Sequence, residues 1–209
     1  MADGTEKTEW LTRGMTAVKG EAMETERFLE LAHTAERLKD VERHSFTSGG
    51  RRESVAEHCW RISFLALFMR DEFPEVDMDK VVRMCLVHDM GEAFTGDIPA
   101  FVKTDSDERR ERALLKKWVS GLPAPYCDEF MALYGEMAAM ETQEARLFKA
   151  LDGIEAVIQH NESDIGTWSD VEYALNIVYA DDKVAFSPYL TRLRERIRLE
   201  TRRKLEGRE

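Results

Sequence analysis

The sequence predicts an all-α, single-domain helical bundle, and three observations predict it. Apolar residues recur at helical spacing along most of the 209-residue chain. No segment shows the sustained alternation of a half-buried strand. Gly and Pro fall between the periodic segments, where helices end. A chain of this length buries one sizeable core, and its composition does not shift enough to divide it. The expected domain covers 21–209, preceded by a loose polar extension over 1–20.

The first amphipathic segment runs from about Met23 to Leu38, with Phe28, Leu31, Ala32, Ala35 and Leu38 on one stripe. An arginine-rich loop around Ser48-Gly49-Gly50 follows. Ser54-Val55-Ala56-Glu57 fits a capping box, or a position one turn inside the helix. That helix runs to about Phe73, and Pro74 ends it. Asp77 or Asp79 caps the next helix, which passes through Val81, Val82, Cys85 and Leu86 to about Phe94. Thr95-Gly96-Asp97-Ile98-Pro99 breaks the pattern. A charged helix covers roughly Ser106 to Val119. Another, near Tyr126 to Leu133, follows a Gly-Leu-Pro break, and a long one covers Met137 to His160. Shorter helices near Asp170 to Ala180 and Ser187 to Leu205 complete the bundle.

A net charge of −11 disfavours general binding to a nucleic-acid polymer, because phosphate contacts need Lys and Arg. Residues 1–20 lack the apolar stretch of a signal peptide. No apolar run approaches the roughly 18 residues needed to span a bilayer, so a cytoplasmic location without a membrane partner is expected. The three cysteines, Cys59, Cys85 and Cys127, form neither a disulfide framework nor a CxxC zinc motif and read as buried free thiols. Aromatic residues near the C-terminus, Trp168, Tyr173 and Tyr179, suggest a surface patch through which a homodimer forms.

Five histidines are present, and two of them, His58 and His88, sit in apolar helices beside acidic residues. His88-Asp89 follows the run Val81 to Val87, and burying an unpartnered His and Asp there costs several kcal/mol. Either a divalent cation or a hydrogen-bonded His–Asp pair offsets that cost. Glu92 lies four residues after His88 and shares its helical face. Asp152 stands inside another apolar helix, where Asp is unfavourable without a partner. Local sequence alone favours a solvated or N-terminal Asp152. Glu155 and Gln159 share its face as second-layer or base-contacting groups, and His160 reads as structural.

The ordered set His58, His88-Asp89, Asp152 resembles the H…HD…D signature of the HD-domain metal-dependent phosphohydrolases. Glu57-His58, His88-Asp89-Met90-Gly91-Glu92 and Thr95-Gly96-Asp97-Ile98-Pro99 extend the likeness to the branch of bacterial 5′-deoxynucleotidases and their eukaryotic relatives. It covers about Phe28 to Leu193. The resemblance implies an HD-type bundle around one metal ion, with a second ion in some members. His58, His88, Asp89 and Asp152 take the ligand positions, and Glu92 that of the acidic residue orienting or activating water. Asp97, Ile98, Pro99 and Ala100 match a substrate-contacting turn, Asp97 with a catalytic role as well, and Arg43 matches an arginine that meets phosphate. The bacterial pattern has tryptophan where this chain has His44, which is expected to line the substrate cavity; Lys103 lies close by.

The implied cofactor is a divalent ion, and His and Asp donors suit Mn, Co, Fe, Ni or Zn. The implied reaction is hydrolysis of a (deoxy)nucleoside 5′-monophosphate to nucleoside and phosphate. The alternatives are a cyclic-nucleotide or dNTP hydrolase of the same type and a metal-stabilised nucleotide-binding module without turnover.

Overall fold

Most of the longer helices begin where the sequence offers a side chain to take up their first free N–H groups. The computed structural model describes residues 23–207; the extension expected over 1–20 lies outside the described residues. Helix α1 (Thr25–Glu36) runs into a 3-10 turn at Arg37–Lys39. Strands β1 (Glu42–Phe46) and β2 (Arg52–Ser54) pair antiparallel, with a register shift between Glu42 and Phe46. Ser54 opens α2 (Val55–Ala66) with a capping box: its hydroxyl accepts from Glu57 N, and the Glu57 carboxylate accepts from Ser54 N.

Asp77 caps α3 (Met78–Val87) by accepting from Lys80 N. A turn through His88–Gly91 leads into the short α4 (Glu92–Thr95). Thr104 and Asp107 box the start of α5 (Asp105–Ser120). Helix α6 (Tyr126–Ala139) stops at Met140, whose φ is 55°, and Thr142 caps α7 (Gln143–Glu162). A 3-10 turn at Ile165–Thr167, α8 (Glu172–Val178), α9 (Asp181–Val184) and α10 (Pro188–Glu206) follow.

Helix α7 is the axis of the molecule. Helices α2, α3, α6, α9 and α10 and strand β1 all pack on it, so buried residues occur all round it. Ile62, Met84, Leu147, Leu151, Ile154 and Leu190 are fully buried in the main core, each contributing roughly 1.5–3 kcal/mol of transfer free energy. A smaller cluster of Leu38, Val55, Cys59, Met90 and Ala93 joins the 3-10 turn and α2 to the segment after α3.

The all-α expectation holds with one addition, since the arginine-rich segment is a hairpin rather than a loop. Its alternation is too short to read, with three residues in β2 and a shifted register. Helix α2 ends at Ala66 rather than Phe73, and the chain descends to Val76 in successive turns. Helix α3 ends at Val87 rather than Phe94: the N–H groups of Met90, Glu92, Ala93 and Phe94 bond three residues back instead of four, which tightens the backbone. The long pattern from Met137 is two helices, because Met137 belongs to α6 and the left-handed Met140 separates them.

The apolar stripe of α1 is not a core face. No residue of α1 is buried, and Phe28 is 62% exposed; only Leu38 beyond its end is covered. The C-terminal aromatics form no free patch either. Trp168 is buried and donates from Nε1 to His160 O, and Tyr173 and Tyr179 are half-buried. Exposed rings lie instead at Trp60, Phe64 and Phe68, spaced four apart and stacked edge and face along α2 and the turn after it. No helix among the described residues is long and apolar enough to cross a membrane.

Candidate metal centre and active-site cavity

Four side chains from three places in the chain meet behind one cavity. His58 comes from α2, His88 and Asp89 from the turn that ends α3, and Asp152 from the middle of α7. His58 Nε2 lies 3.2 Å from Asp152 Oδ1. His88 Nε2 lies 3.0 Å from Asp89 Oδ2 and 3.9 Å from Asp152 Oδ1.

The other nitrogen of each ring is already engaged. His88 Nδ1 donates to Cys85 O at 2.9 Å. A carbonyl can only accept, so in the neutral ring the proton sits on Nδ1 and Nε2 carries a lone pair. That Nε2 is buried and makes no aligned hydrogen bond. His58 Nδ1 stands 2.5 Å from Glu155 Oε2, which assigns its Nε2 the same way. Two lone pairs thus face two carboxylates, an arrangement that repels unless positive charge lies between them. A histidine whose far N–H is held by a carboxylate or a carbonyl is set up to ligate a metal, and the donor set fits a divalent cation.

The electrostatics show the same need for positive charge: burial opposes the charge on His88, yet Asp89 holds its imidazole well above its ordinary pKa, so a proton on Nε2 fills the place that a cation would take. Burial works to raise the Asp89 carboxyl, yet the imidazole of His88 brings it down to about 2. Burial likewise opposes the charge on Asp152, and Lys149, His58 and His88 hold it well below the usual carboxylate range. Burial first, then Asp89, Asp97 and Glu111, push the Glu92 carboxyl up to about 10. Glu92 Oε2 is buried without a hydrogen-bond partner, so a neighbouring water or cation is called for.

The cavity encloses about 270 Å³, near the lower end of the roughly 300–1,000 Å³ of small-molecule sites. Asp89, Glu92, Asp97, Glu108, Asp152 and Glu172 line it against the basic Arg43, Lys103 and Lys149. This excess of carboxylate repels an anion until cations enter. Ile98, Pro99 and Ala100 line it, as does His44. Gly96, at φ 77°, turns the chain there, a conformation that side chains disfavour.

Each expected site residue is therefore at the centre or on the cavity wall, with corrections of detail. The shared face of His88 and Glu92 does not survive the end of α3. Asp89 and Glu92 line the cavity together, while His88 packs edge-on against His58 and Phe148. Arg43 is held by Glu53 at 3.0 Å and by Glu155 at 3.5 Å, and Lys103 is paired with Glu111 at 2.6 Å. Glu155 supports His58, as a second-layer group does. Gln159 contacts no ligand space: it donates to Phe46 O and accepts from Arg61, fastening the hairpin to α7.

Cys85 enters through its carbonyl, because burial pushes its thiol up to about 12. The sequence reasoning missed Lys149, whose Nζ donates to Asp152 Oδ2 at 2.8 Å; its i, i+3 spacing was the available signal. It also missed Glu172, for which local sequence offers no signal, and it read as structural the His160 that lines the cavity.

A helical bundle that gathers imidazoles and carboxylates around a place for a divalent cation defines a metal-site protein of the all-α class. The chain belongs to the HD-domain family, whose family model matches residues 35–193. Among curated proteins it is 37% identical over 112 residues to the 5′-deoxynucleotidase HDDC2 of Bos taurus, covering 53% of this chain and 54% of that one. It is 34% identical over 114 residues to the human HDDC2, covering 54% and 55%. The chain thus spans about half the length of these relatives. Among solved structures it resembles a predicted metal-dependent phosphohydrolase from Magnetospirillum magnetotacticum, with a TM-score of 0.71 and 28% identity over 85% of this chain and 92% of that one. It shares the fold of the cyanophage S-2L HD phosphohydrolase DatZ, at TM-score 0.54 and 18% identity over 90% and 99%.

Proposed function

We propose that this chain is a divalent-metal-dependent phosphomonoesterase, a 5′-deoxynucleotidase that converts (deoxy)nucleoside 5′-monophosphates to nucleosides and phosphate. The observation that carries the reading is the unpartnered Nε2 of His88 facing Asp89 and Asp152 behind an acidic cavity. The names of the HDDC2 relatives supply the substrate class. His58, His88, Asp89 and Asp152 hold the ion, whose identity among Mn, Co, Fe, Ni and Zn is left to measurement. When bound, such an ion supplies Lewis acidity towards a phosphoryl oxygen and makes water more acidic.

The chain's own groups do the rest. Arg43, carrying charge at the cavity wall, binds phosphate oxygens with its planar fork. Glu92 takes the proton of the attacking water as a general base; the field of a cation lowers its raised pKa into a useful range. Asp97, whose carboxyl is raised chiefly by burial, returns a proton to the departing 5′-oxygen. Water adds to phosphorus, the P–O5′ bond breaks, and the products are an alcohol and inorganic phosphate. Ile98, Pro99, Ala100 and His44 shape the space for sugar and base, and Lys149 steadies Asp152.

The reading includes one catalytic domain over 21–209 in the cytoplasm, working as a homodimer joined over the exposed Trp60, Phe64 and Phe68. The test is metal-stripped and metal-reloaded protein assayed for phosphate release from dNMPs, NMPs, dNTPs and cyclic nucleotides, with elemental analysis alongside. Release from dNMPs that depends on the reloaded ion is expected. Release from triphosphates or cyclic nucleotides alone transfers the chain to another HD reaction. Bound metal without turnover of any of them makes it a binding module.

A further inference from the structure

Another wall of the same cavity holds a second convergence that the catalytic reading leaves unused as a metal site. His44 from β1 and His160 from α7 each place Nε2 at 2.6 Å from one oxygen of Glu172, Oε1, at the start of α8. The partner oxygen, Oε2, is fully engaged by Ser169 N at 2.6 Å and Ser169 Oγ at 2.8 Å. Glu172 is 3% exposed and His160 is 7% exposed.

His160 is oriented as a ligand is. Its Nδ1 donates to Ala156 O at 2.7 Å; a carbonyl only accepts, so the lone pair of the neutral ring lies on Nε2 and points at a carboxylate oxygen. Either a proton on Nε2, making an ion pair with Oε1, or a bound cation in its place relieves that contact. The ring planes are fixed from outside the cluster, His160 edge-on to Trp168 at 5.8 Å and His44 edge-on to Phe101 at 5.4 Å. A backbone carbonyl behind a ligating imidazole and hydrogen bonds behind a ligating carboxylate are the supports that metal ligands carry.

We propose that His44, His160 and Glu172 form a second cation site, taking a borderline ion such as Zn²⁺ or Co²⁺ with three protein ligands and a fourth position open to the cavity. Two imidazoles and a carboxylate are a donor set for such ions. Around a tetrahedral ion with bonds of about 2.0–2.1 Å, ligand atoms stand about 3.3 Å apart. Binding therefore opens each 2.6 Å contact by about 0.7 Å, and the 28% exposed side chain of His44 has room to move.

The site is separate from the central one. Asp152 and His160 are eight residues apart on α7, about 12 Å along the axis. No residue is shared between the two sets of ligands. An ion here meets the end of a ligand remote from the reacting atom. It also offsets the carboxylate excess of the cavity, which one divalent ion at the central site does not reverse. The inference does not depend on which phosphate ester, if any, the protein hydrolyses.

The test is Co²⁺ binding to the full chain, stripped by chelator and carrying Asp89→Asn with Asp152→Asn to disable the central site. One equivalent of Co²⁺ is expected to bind, with two imidazoles in its X-ray absorption spectrum. Adding His160→Gln is expected to weaken binding at least about 10-fold. No Co²⁺ uptake, or uptake indifferent to His160→Gln, overturns the proposal. If the doubly substituted chain does not fold, the intact chain decides: His44→Gln lowers the bound Co²⁺ by one equivalent, and an unchanged count overturns it.

Discussion

His58 and Glu155, 97 residues apart in the chain, meet with Nδ1 2.5 Å from Oε2. Both side chains are almost fully buried. Burial opposes the Glu155 charge, and His58 and Arg43 hold its carboxyl below the usual range. Glu155 is thus a fixed acceptor that sets which nitrogen of His58 faces Asp152.

Replacing that acceptor leaves the ligands in place but releases the ring. Glu155→Gln is expected to weaken metal binding about 10–100-fold, the usual cost of losing such a support. Chelator competition with a divalent-ion indicator measures it, and unchanged affinity would mean that His58 is oriented by packing alone.

Glu92 tests the catalytic assignment separately from the metal. Glu92→Gln is expected to keep the bound ion and lower kcat by about 10²–10⁴, the range for a lost general base. Phosphate release and metal content on the same sample give both numbers. Full activity in this variant removes Glu92 from the mechanism.

A third expectation concerns pH, at a place remote from the centre. Lys80 Nζ lies 3.0 Å from Glu136 and 3.5 Å from Glu144, tying α3 to α6 and α7. Burial works against the Glu136 charge, but the Thr142 hydroxyl and Lys80 hold its pKa below the ordinary 4.5. A depressed folded pKa gives stability that is complete above the unfolded value and lost as pH falls through the folded one. Between about pH 6 and about pH 3 the wild type should therefore lose more stability than Glu136→Gln, by less than about 1 kcal/mol for so accessible a pair. Denaturant midpoints at the two pH values read the difference, and parallel losses would contradict it.

Gly153 sits beside Asp152 where α7 approaches α9. A Cβ there would come within 2.7 Å of Ala180 Cβ, an atom fixed to the backbone. Gly153→Ala is expected to destabilise by about 1–3 kcal/mol through overpacking. Thermal unfolding checks it; an unchanged Tm would show that α9 yields freely.

The exposed rings carry the last expectation. Trp60 and Phe68 are 63% and 67% exposed, with Phe64 between them at 46%. Burying this stripe against a second copy removes apolar surface from water. Phe64→Asp should convert the proposed homodimer to monomer in sedimentation equilibrium while the helical signal is kept. A wild-type chain that sediments as a monomer ends this part of the reading.

Caps were legible because they are local. Ser54 with Glu57, Asp77 and the Gly96 break act within a few residues; the structure puts Ser54 at the helix start, selects Asp77 over Asp79, and turns at Gly96 as expected. Helix ends without such a mark were misjudged. Val87 ends α3 inside a continuous apolar pattern, and Met140 interrupts another in the left-handed region with no glycine to mark the stop. The hairpin was hidden for the converse reason: its strands are stabilised by packing on α7 through Gln159, and their own alternation is too short to announce them.

The sequence by itself determined the helical class, the order His58, His88-Asp89, Asp152 and the membership of the family, because residue types, spacings and periodicity are properties of the chain. Tertiary structure alone decided which nitrogen of each histidine is free, that Glu155 and Cys85 O hold the other one, and that His44, His160 and Glu172 converge on one atom. Those facts depend on directions between side chains far apart in sequence. Directions of that kind exist only once α7 has been buried and the remaining elements are packed around it.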